Sequence, residues 1–222
     1  MTGLPDITTL VAYVIVLAIA FTVHEFAHAW TANYFGDDTP RLNGRLTLNP
    51  LAHLDPIGTL MLFIAGFGWA KPVPVSFYAL ERRSPAAPMW VALAGPLSNF
   101  LMALLAAIPF RLGLIKVQYF AGNFYYDSSY MPDFLARILF IFLLTNLLLM
   151  IFNLLPIFPL DGEKVAAYAF PPYMARVLDT IRPYGPMVLL LLIFMGSLAR
   201  INLLGILLDP PRLALLRALL GK

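Results

Sequence analysis

Long apolar runs dominate this chain, and they restrict it to folds that a lipid bilayer can accommodate. In the first run, residues 7–30, the only charged or imidazole side chains belong to His24, Glu25 and His28. A run of about 20 apolar residues matches the ~30 Å hydrocarbon core of a bilayer. Because an ionisable group is costly to insert at that depth, three of them together indicate a functional site.

The spacing of these three residues is typical of a metal site. His24 and His28 are four residues apart in the pentapeptide HEFAH, so on a helix both imidazoles face the same side and can bind one ion. Glu25 directly follows the first histidine and can reach a water molecule at that ion. The pattern predicts hydrolytic chemistry inside the bilayer. The alternative is a pair of histidines that only packs or hydrogen-bonds within the protein.

The composition supports a membrane protein and narrows the choice of metal ligands. Hydrophobic residues make up 60% of the chain and charged residues 12%, whereas soluble domains carry about a quarter charged residues. The basic residues are scattered and the net charge is only +3, which argues against nucleic-acid binding. Since the chain contains no cysteine, disulfides and thiolate metal sites are excluded. Any metal ligands must therefore be His, Asp or Glu.

Hydropathy predicts four membrane spans and one apolar segment that is too short to cross. The spans are residues 7–35, 85–110, 138–160 and 183–199. The short segment, residues 57–70, is interrupted by glycines, so we expect it to be re-entrant or partly extended. The sequence therefore predicts an α-helical polytopic membrane protein, a bundle of about four to six transmembrane helices with a short extended, β or re-entrant segment near the active site.

We expect residues 1–222 to form a single integral-membrane domain. Its catalytic core covers about residues 7–165, and about residues 183–222 form a transmembrane or interfacial region whose number of crossings is left open. An excess of basic residues on one side predicts a cell-membrane protein with its N-terminus outside and its active site toward the cytosol. The eight basic residues on that side are Arg41, Arg45, Lys71, Arg82, Arg83, Lys164, Arg176 and Arg182.

Asp161 is the best candidate for a third metal ligand. A catalytic zinc site usually has three protein ligands and one open position, and HEFAH supplies only two ligands. Asp161 follows two prolines that should break the 138–160 span, and it precedes Gly162, which permits an unusual backbone turn. The alternative is an ordinary aspartate at a helix boundary. The predicted site requires Asp161 to come within ligand reach of His24 and His28.

Five motifs extend this pattern over most of the chain. They are HEFAH, NPLAHLDPIG at residues 49–58, GFGWAKPVPV at 66–75, AGPLSN at 94–99 and NLLPIFPLDG at 153–162. With these motifs, in this order, the chain resembles the site-2 protease family of intramembrane zinc metalloproteases. It resembles the minimal prokaryotic type, which has no PDZ or CBS domain.

The resemblance implies a set of roles. One Zn²⁺ would be bound by His24, His28 and Asp161, and Glu25 would activate water for attack on a peptide bond. The partners would be transmembrane protein substrates and the lipid bilayer, with cleavage within or next to a membrane segment as in regulated intramembrane proteolysis. The oligomeric state is left open. Two other functions are conceivable, a non-catalytic membrane scaffold of the same fold and a metal transporter.

Four residues are weaker candidates for contact with the substrate. The amide of Asn153 could stabilise an oxyanion, hold a substrate backbone or bond to a neighbouring helix. His53 could reach the active site, although its setting in NPLAHLDP favours a turn whose side chains bond local backbone. Val73 and Val75 belong to the KPVPV segment (residues 71–75), whose alternating prolines suit either an extended edge that pairs with substrate or a rigid connector.

The AGPLSN motif is expected to serve packing more than chemistry. Gly95 and Ser98 are predicted to be small contacts that let helices approach closely. Asn99 is predicted to hydrogen-bond across the bundle near the site.

Overall fold

The first apolar run forms one long helix, α1 (Ile7–Tyr34). Its N-terminus is capped by the carboxylate of Asp6, which accepts a hydrogen bond from the backbone N–H of Thr9 at 3.0 Å. At 1.5 Å per residue, its 28 residues extend over about 42 Å, more than the hydrocarbon core requires. A computed structural model describes this helix and the rest of the chain over residues 6–65, 68–120, 123–128, 130–199 and 202–221.

The remaining elements are mostly helical, with one small hairpin. In chain order they are α2 (Thr39–Leu42), a 3-10 helix (Pro50–Ala52), α3 (Pro56–Ala65), α4 (Phe77–Arg83), α5 (Ala87–Ala106), α6 (Ile108–Arg111), β1 (Lys116–Phe120), β2 (Asn123–Asp127), α7 (Asp133–Asn153), α8 (Asp161–Ala169), α9 (Pro172–Ile181), a second 3-10 helix (Arg182–Tyr184), α10 (Gly185–Ala199) and α11 (Leu203–Leu220). Strands β1 and β2 pair antiparallel.

Helices α1, α5 and α7 pack against one another and form the centre of the protein. Small buried side chains such as Ala12, Ala20 and Ala103 let their backbones approach closely, as is usual between helices in a bilayer. Among the described residues, four helical stretches are long and apolar enough to cross a membrane: Ile7–Tyr34, Ala87–Arg111, Asp133–Asn153 and Pro172–Phe194. The predicted polytopic helical membrane protein is confirmed.

The bundle has two distinct ends. At the end that we call the hairpin end, Arg137 of α7 pairs with Asp6 at 3.0 Å and with Asp133 at 3.1 Å, beside the β1–β2 hairpin. The C-terminus of α11 reaches the same end, where Arg111 donates to the carbonyl of Leu219 at 3.4 Å. The opposite end, called the site end, contains the C-termini of α1 and α7, the N-terminus of α5, and α2, α4 and α8.

Helix α7 differs from the predicted span of residues 138–160 at both of its ends. It begins at Asp133, because Arg137 is neutralised within the ion-pair cluster at the hairpin end and does not interrupt the helix. The hydroxyls of Thr8 and Thr9 donate to Asp6 in this cluster and hold the pKa of that carboxyl well below its usual range. Helix α7 stops at Asn153, ahead of the two prolines that were expected to break it.

The short apolar segment, residues 57–70, leaves the site end and returns to it. Helix α3 covers nine of its residues, and the whole helix is ten residues or about 15 Å long, too short to cross a bilayer. Leu54 and Ala70, on either side of α3, face each other across an antiparallel bridge, so the chain enters and leaves at one place. The backbones at Gly58 and Gly68 touch, since a side chain on Gly68 would come within 2.3 Å of the Gly58 carbonyl. Gly66 and Phe67 lie outside the described residues.

The C-terminal region forms two helices. Helix α10 begins at the site end, where Gly185 contacts the backbone of Phe158, and α11 ends at the hairpin end. Leu216 and Leu219 of α11 are buried in the main apolar core with Phe110 and Phe140. The helix that follows the 183–199 span is thus longer than its apolar start, residues 201–208, suggested. Ile201 lies outside the described residues.

Candidate metal centre

The two histidines of HEFAH and the distant Asp161 meet at the site end. His24 and His28 project from one face of α1, and their Nε2 atoms are 3.0 Å apart. The Oδ2 atom of Asp161, the first residue of α8, lies 3.3 Å from each of these nitrogens. Both histidines are buried, and Asp161 is nearly so. The predicted metal ligands therefore form a compact triangle.

Hydrogen bonds on the far side of the first imidazole decide which ring nitrogen carries the proton. The carbonyl of Phe142 can only accept, so Asn146 donates to it through Nδ2 at 2.9 Å. The Oδ1 atom of Asn146 then accepts from Nδ2 of Asn99 at 2.8 Å, which turns Oδ1 of Asn99 toward His24. Nδ1 of His24 lies 2.6 Å from that oxygen and therefore donates to it.

The second imidazole is fixed in the same way. Nδ1 of His28 lies 2.7 Å from the carbonyl oxygen of Val91, which only accepts, so Nδ1 carries the proton. When both imidazoles are neutral, the Nε2 atoms of His24 and His28 direct lone pairs toward each other and toward the carboxylate of Asp161. Three acceptors this close repel one another. A divalent cation between them satisfies all three, whereas a single proton satisfies only one pair.

The dimensions of the triangle fit a zinc ion. A tetrahedral zinc with ligand distances of about 2.0–2.1 Å has its ligand atoms about 3.3–3.4 Å apart. Gly95 of α5 keeps the space beside the two imidazoles free, because a Cβ atom there would lie 2.3 Å from Nε2 of His28 and 2.6 Å from Nε2 of His24. His24, His28 and Asp161 could therefore bind a metal ion.

Asp161 reaches the histidines because the chain turns sharply after α7. Leu160 is the N-cap of α8, and Asp161 occupies its first turn. Gly162 packs against the preceding turn so tightly that a Cβ atom would come within 2.3 Å of the Leu154 carbonyl. The prediction of an unusual backbone turn at Gly162 is wrong, since this residue is helical. Glycine is needed there for close approach between two stretches of backbone.

Glu25 points to the side of the site that faces the KPVPV segment. Its side chain is buried, and Oε2 accepts a hydrogen bond from the backbone N–H of Val73 at 3.1 Å. Glu25 and the three candidate ligands line one cavity of about 500 Å³ at the site end. Most of its wall is apolar and includes Phe21, Val91, Leu149, Phe152, Leu189 and Leu190.

The weaker candidates fall into two groups. Asn153, Val73 and Val75 line the cavity, and the amide of Asn153 donates to the Leu149 carbonyl of its own helix at 2.9 Å. His53 is fully buried outside the cavity wall, as far as the described residues define it, and its Nε2 atom lies 2.7 Å from the Thr47 carbonyl. The structure thus places His53 in a turn beneath the site.

The profile of peptidase family M50 matches residues 12–195, which include all of the site described above. The chain belongs to peptidase family M50. The resemblance to site-2 proteases is thereby confirmed, and the family assigns this M50 chain to the membrane metalloproteases.

Relatives of the M50 chain have names that agree with the family. "Putative zinc metalloprotease YwhC" of Bacillus subtilis is 41% identical over 181 residues, 81% of this chain and 78% of the relative. Two proteins named Rip2 are similar over comparable lengths. The one from Mycolicibacterium smegmatis is 29% identical over 85% of this chain and 70% of its own. The one from Mycobacterium tuberculosis is 32% identical over 83% and 68%. No solved structure matches the chain significantly.

Asn146 is the functional neighbour that sequence reasoning missed in this M50 chain. It is fully buried in the middle of α7 and links that helix to α5 and, through Asn99, to His24. The available signal was a lone asparagine in an otherwise apolar run. Its depth relative to Asn99 depends on how the two helices pack, which the sequence does not specify. The cross-bundle hydrogen bond expected of Asn99 is present.

Replacing Asn146 by Ala should weaken zinc binding about 10–100-fold. Without Asn146, Asn99 loses the acceptor that fixes its amide, and its oxygen no longer has to face His24. The affinity is measured by competition with a chromophoric chelator on the purified protein. Thr145→Ala, one residue away on α7, is the control and should retain the parent affinity. Equal affinities for both variants would rule out the orienting role.

Proposed function

We propose that this M50 protein hydrolyses peptide bonds within or next to transmembrane segments of other membrane proteins. One zinc ion, held by His24, His28 and Asp161, would serve the reaction. The observation that carries the proposal is the convergence of three metal-binding atoms beside a buried glutamate, in a cavity walled by apolar helices. Neither histidine nor Glu25 has an evident structural need for such a costly position.

The side chains around the cavity suit peptide hydrolysis. A bound zinc would lower the pKa of a water molecule and polarise the scissile carbonyl. Glu25 would take the proton from that water and deliver it to the leaving amine, a role usually worth about 10²–10⁴-fold in rate. The N–H of Val73 holds Oε2 of Glu25, so Oε1 is the oxygen available to the proton. Asn153 lines the cavity, which supports a role for its amide in contacting the oxyanion or the substrate backbone.

The KPVPV segment is our candidate for presenting the substrate. A helical substrate hides its peptide bonds in its own hydrogen bonds, so it must be unwound and its backbone groups must find new partners. Val73 and Val75 line the cavity, and the segment is extended beside Glu25 without belonging to a sheet. An unwound substrate strand could pair with this edge through its main chain.

We further infer that the site end faces the cytosol. Six of the eight basic residues that predicted this orientation lie in α2, α4 and α8 of the site end or in the loops joining its elements. The other two, Arg176 and Arg182, lie between α8 and α10, and Arg182 is 3.6 Å from Glu163 of α8. Arg111, Lys116, Arg137 and Arg217 are at the hairpin end, where Asp133 and Asp6 neutralise Arg137. The excess of positive charge on one side supports an N-terminus outside the cell.

Metal removal tests the proposal. The purified protein is reconstituted with a single-span reporter that has a soluble tag on each side of an apolar segment of about 20 residues, weakened by a Gly-Pro pair near the site-end side. We expect cleavage inside or beside the span, complete loss of cleavage after treatment with ortho-phenanthroline, and recovery on adding zinc. The non-chelating isomer meta-phenanthroline should have no effect. The products are mapped by mass spectrometry.

Three results would contradict the proposal in different ways. Zinc binding without cleavage of any reporter in a panel of spans would favour the scaffold. Zinc uptake into proteoliposomes without cleavage would favour a metal transporter. Cleavage confined to the soluble tags would remove the intramembrane assignment while leaving the protein a protease.

A further inference from the structure

Arg45 is a buried cation that the proposed mechanism does not use. Its side chain is almost fully buried, and its guanidinium donates to three backbone carbonyls. The acceptors are Ala52, Lys71 at 3.2 Å and Pro72 at 2.8 Å. Within the described part of the chain, Arg45 forms no ion pair with a carboxylate. Because this buried guanidinium donates to backbone carbonyls, it fixes the path of the chain segments to which those carbonyls belong.

Two of these carbonyls belong to the start of the KPVPV segment, directly before the residue that contacts Glu25. The N–H of Lys71 donates to the carbonyl of His53 at 2.7 Å, so this residue is held from both sides. The next backbone N–H along the chain is that of Val73, because Pro72 has none, and it binds Oε2 of Glu25 at 3.1 Å. Arg45 is therefore connected to Glu25 through the backbone of Pro72 and Val73.

Asp37 holds the other end of the same segment. It is also almost fully buried, and its Oδ2 atom accepts from the N–H of Ser76, directly after the segment, at 2.7 Å. Its Oδ1 atom accepts from the N–H of Thr39 at 2.9 Å, which ties the contact to α2. A basic side chain thus holds carbonyls at one end and an acidic side chain holds an N–H at the other.

We propose that Arg45 and Asp37 are positioning residues that clamp the KPVPV segment in an extended form beside Glu25. The clamp presents the segment to an unwound substrate strand and holds the Val73 N–H against the glutamate before substrate arrives. This inference rests on the proposed function for its role in proteolysis. The clamp itself is a feature of the resting protein. Preorganised groups of this kind matter because a displacement of about 1 Å can cost about 100-fold in rate.

The chain supplies a matched control for each half of the clamp. Arg41 and Asp38 lie beside Arg45 and Asp37 in sequence, are exposed, and pair with each other at 3.1 Å. Arg45→Met and Arg41→Met remove the same charge from the same side of the membrane, and Asp37→Asn and Asp38→Asn form the second pair. We expect kcat for the single-span reporter to fall about 10–100-fold in Arg45→Met, and less in Asp37→Asn, with zinc content unchanged. Both control variants should match the parent, and Arg45→Lys should recover part of the loss.

A spectroscopic readout separates the clamp from the proteolysis. Since the chain has no cysteine, Lys71→Cys creates a unique attachment site for a nitroxide at an exposed position of the segment. We expect a restricted EPR spectrum in the parent and with Arg41→Met, and a mobile one with Arg45→Met or Asp37→Asn.

Three outcomes would overturn the proposal: unchanged mobility in both clamp variants, reporter cleavage at the Arg41→Met rate in Arg45→Met, or loss of zinc in parallel with activity. The last outcome would make Arg45 a residue of general stability. If Arg45→Met does not yield folded protein, Asp37→Asn and Arg45→Lys decide by the same measurements. If the parent cleaves no reporter, the proposed function fails while the EPR comparison still decides the clamp.

Discussion

Glu25→Gln should reduce cleavage of the single-span reporter about 10²–10⁴-fold while zinc stays bound. Gln retains an oxygen that can accept the hydrogen bond from Val73, so the contact with the KPVPV segment survives. It loses the ability to take and return a proton, and general acid–base catalysis accounts for about 10²–10⁴-fold of an enzymatic rate. The metal-binding atoms belong to His24, His28 and Asp161, none of which is altered. Activity is measured on reconstituted protein, and zinc by elemental analysis.

Glu81→Gln is the control for this prediction, because Glu81 is an exposed glutamate of α4 at the same end of the protein. It should cleave at the parent rate. Cleavage by Glu25→Gln within about tenfold of the parent would remove Glu25 from the role of general base. Loss of zinc from Glu25→Gln would instead show that the glutamate supports the metal site.

Gly95→Ala should abolish zinc binding and with it all proteolysis. The added methyl group would lie 2.3 Å from Nε2 of His28 and 2.6 Å from Nε2 of His24, well inside van der Waals contact. The imidazoles cannot retreat freely, because their Nδ1 atoms are bonded to Asn99 and to the carbonyl of Val91. Moving either ring breaks a buried hydrogen bond and separates the ligating nitrogens. The readout is zinc per chain after dialysis against a weak chelator.

A loss of zinc from this variant cannot be attributed to a weakened helix. Alanine favours a helix over glycine by about 1 kcal/mol, so α5 should be no less stable. Ala94→Ser adds one heavy atom at the neighbouring, partly exposed position and should retain zinc. One zinc per chain in Gly95→Ala would mean that the imidazoles adjust to the methyl group, and the tight steric description of the site would be wrong.

The sequence is most informative where it places ionisable residues that are costly to insert into a bilayer. Two histidines and a glutamate in an apolar run indicate chemistry by themselves, and Asp161 follows because a zinc site with two histidines lacks a ligand. Hydropathy locates the helices of the bundle. It sets the start of α7 too late, because a window that counts charges does not detect that Arg137 is paired with Asp6 and Asp133.

The parts that escape prediction depend on contacts between distant segments. By sequence Arg45 is only a charge on a loop, since nothing in its neighbourhood reveals that three carbonyls surround it. Gly95 is predicted to be a small packing residue, and it is one, but its neighbours are two imidazoles and not another helix backbone. The role of Asn146 emerges only when the depths of α5 and α7 are matched.

The turn that carries Asp161 away from α7 has a mechanical consequence. His24 and His28 lie near the start of the chain, whereas Asp161 opens the stretch that continues through α9 to α10 and supplies Leu189 and Leu190 to the cavity wall. A metal bound by all three residues would therefore link the first helix to the last third of the protein. The free energy of metal binding would also offset the entropy lost in closing the very long loop between His28 and Asp161. Bound zinc would then stabilise the packing of α8 against α1, and the size of that effect would rise with the free zinc concentration.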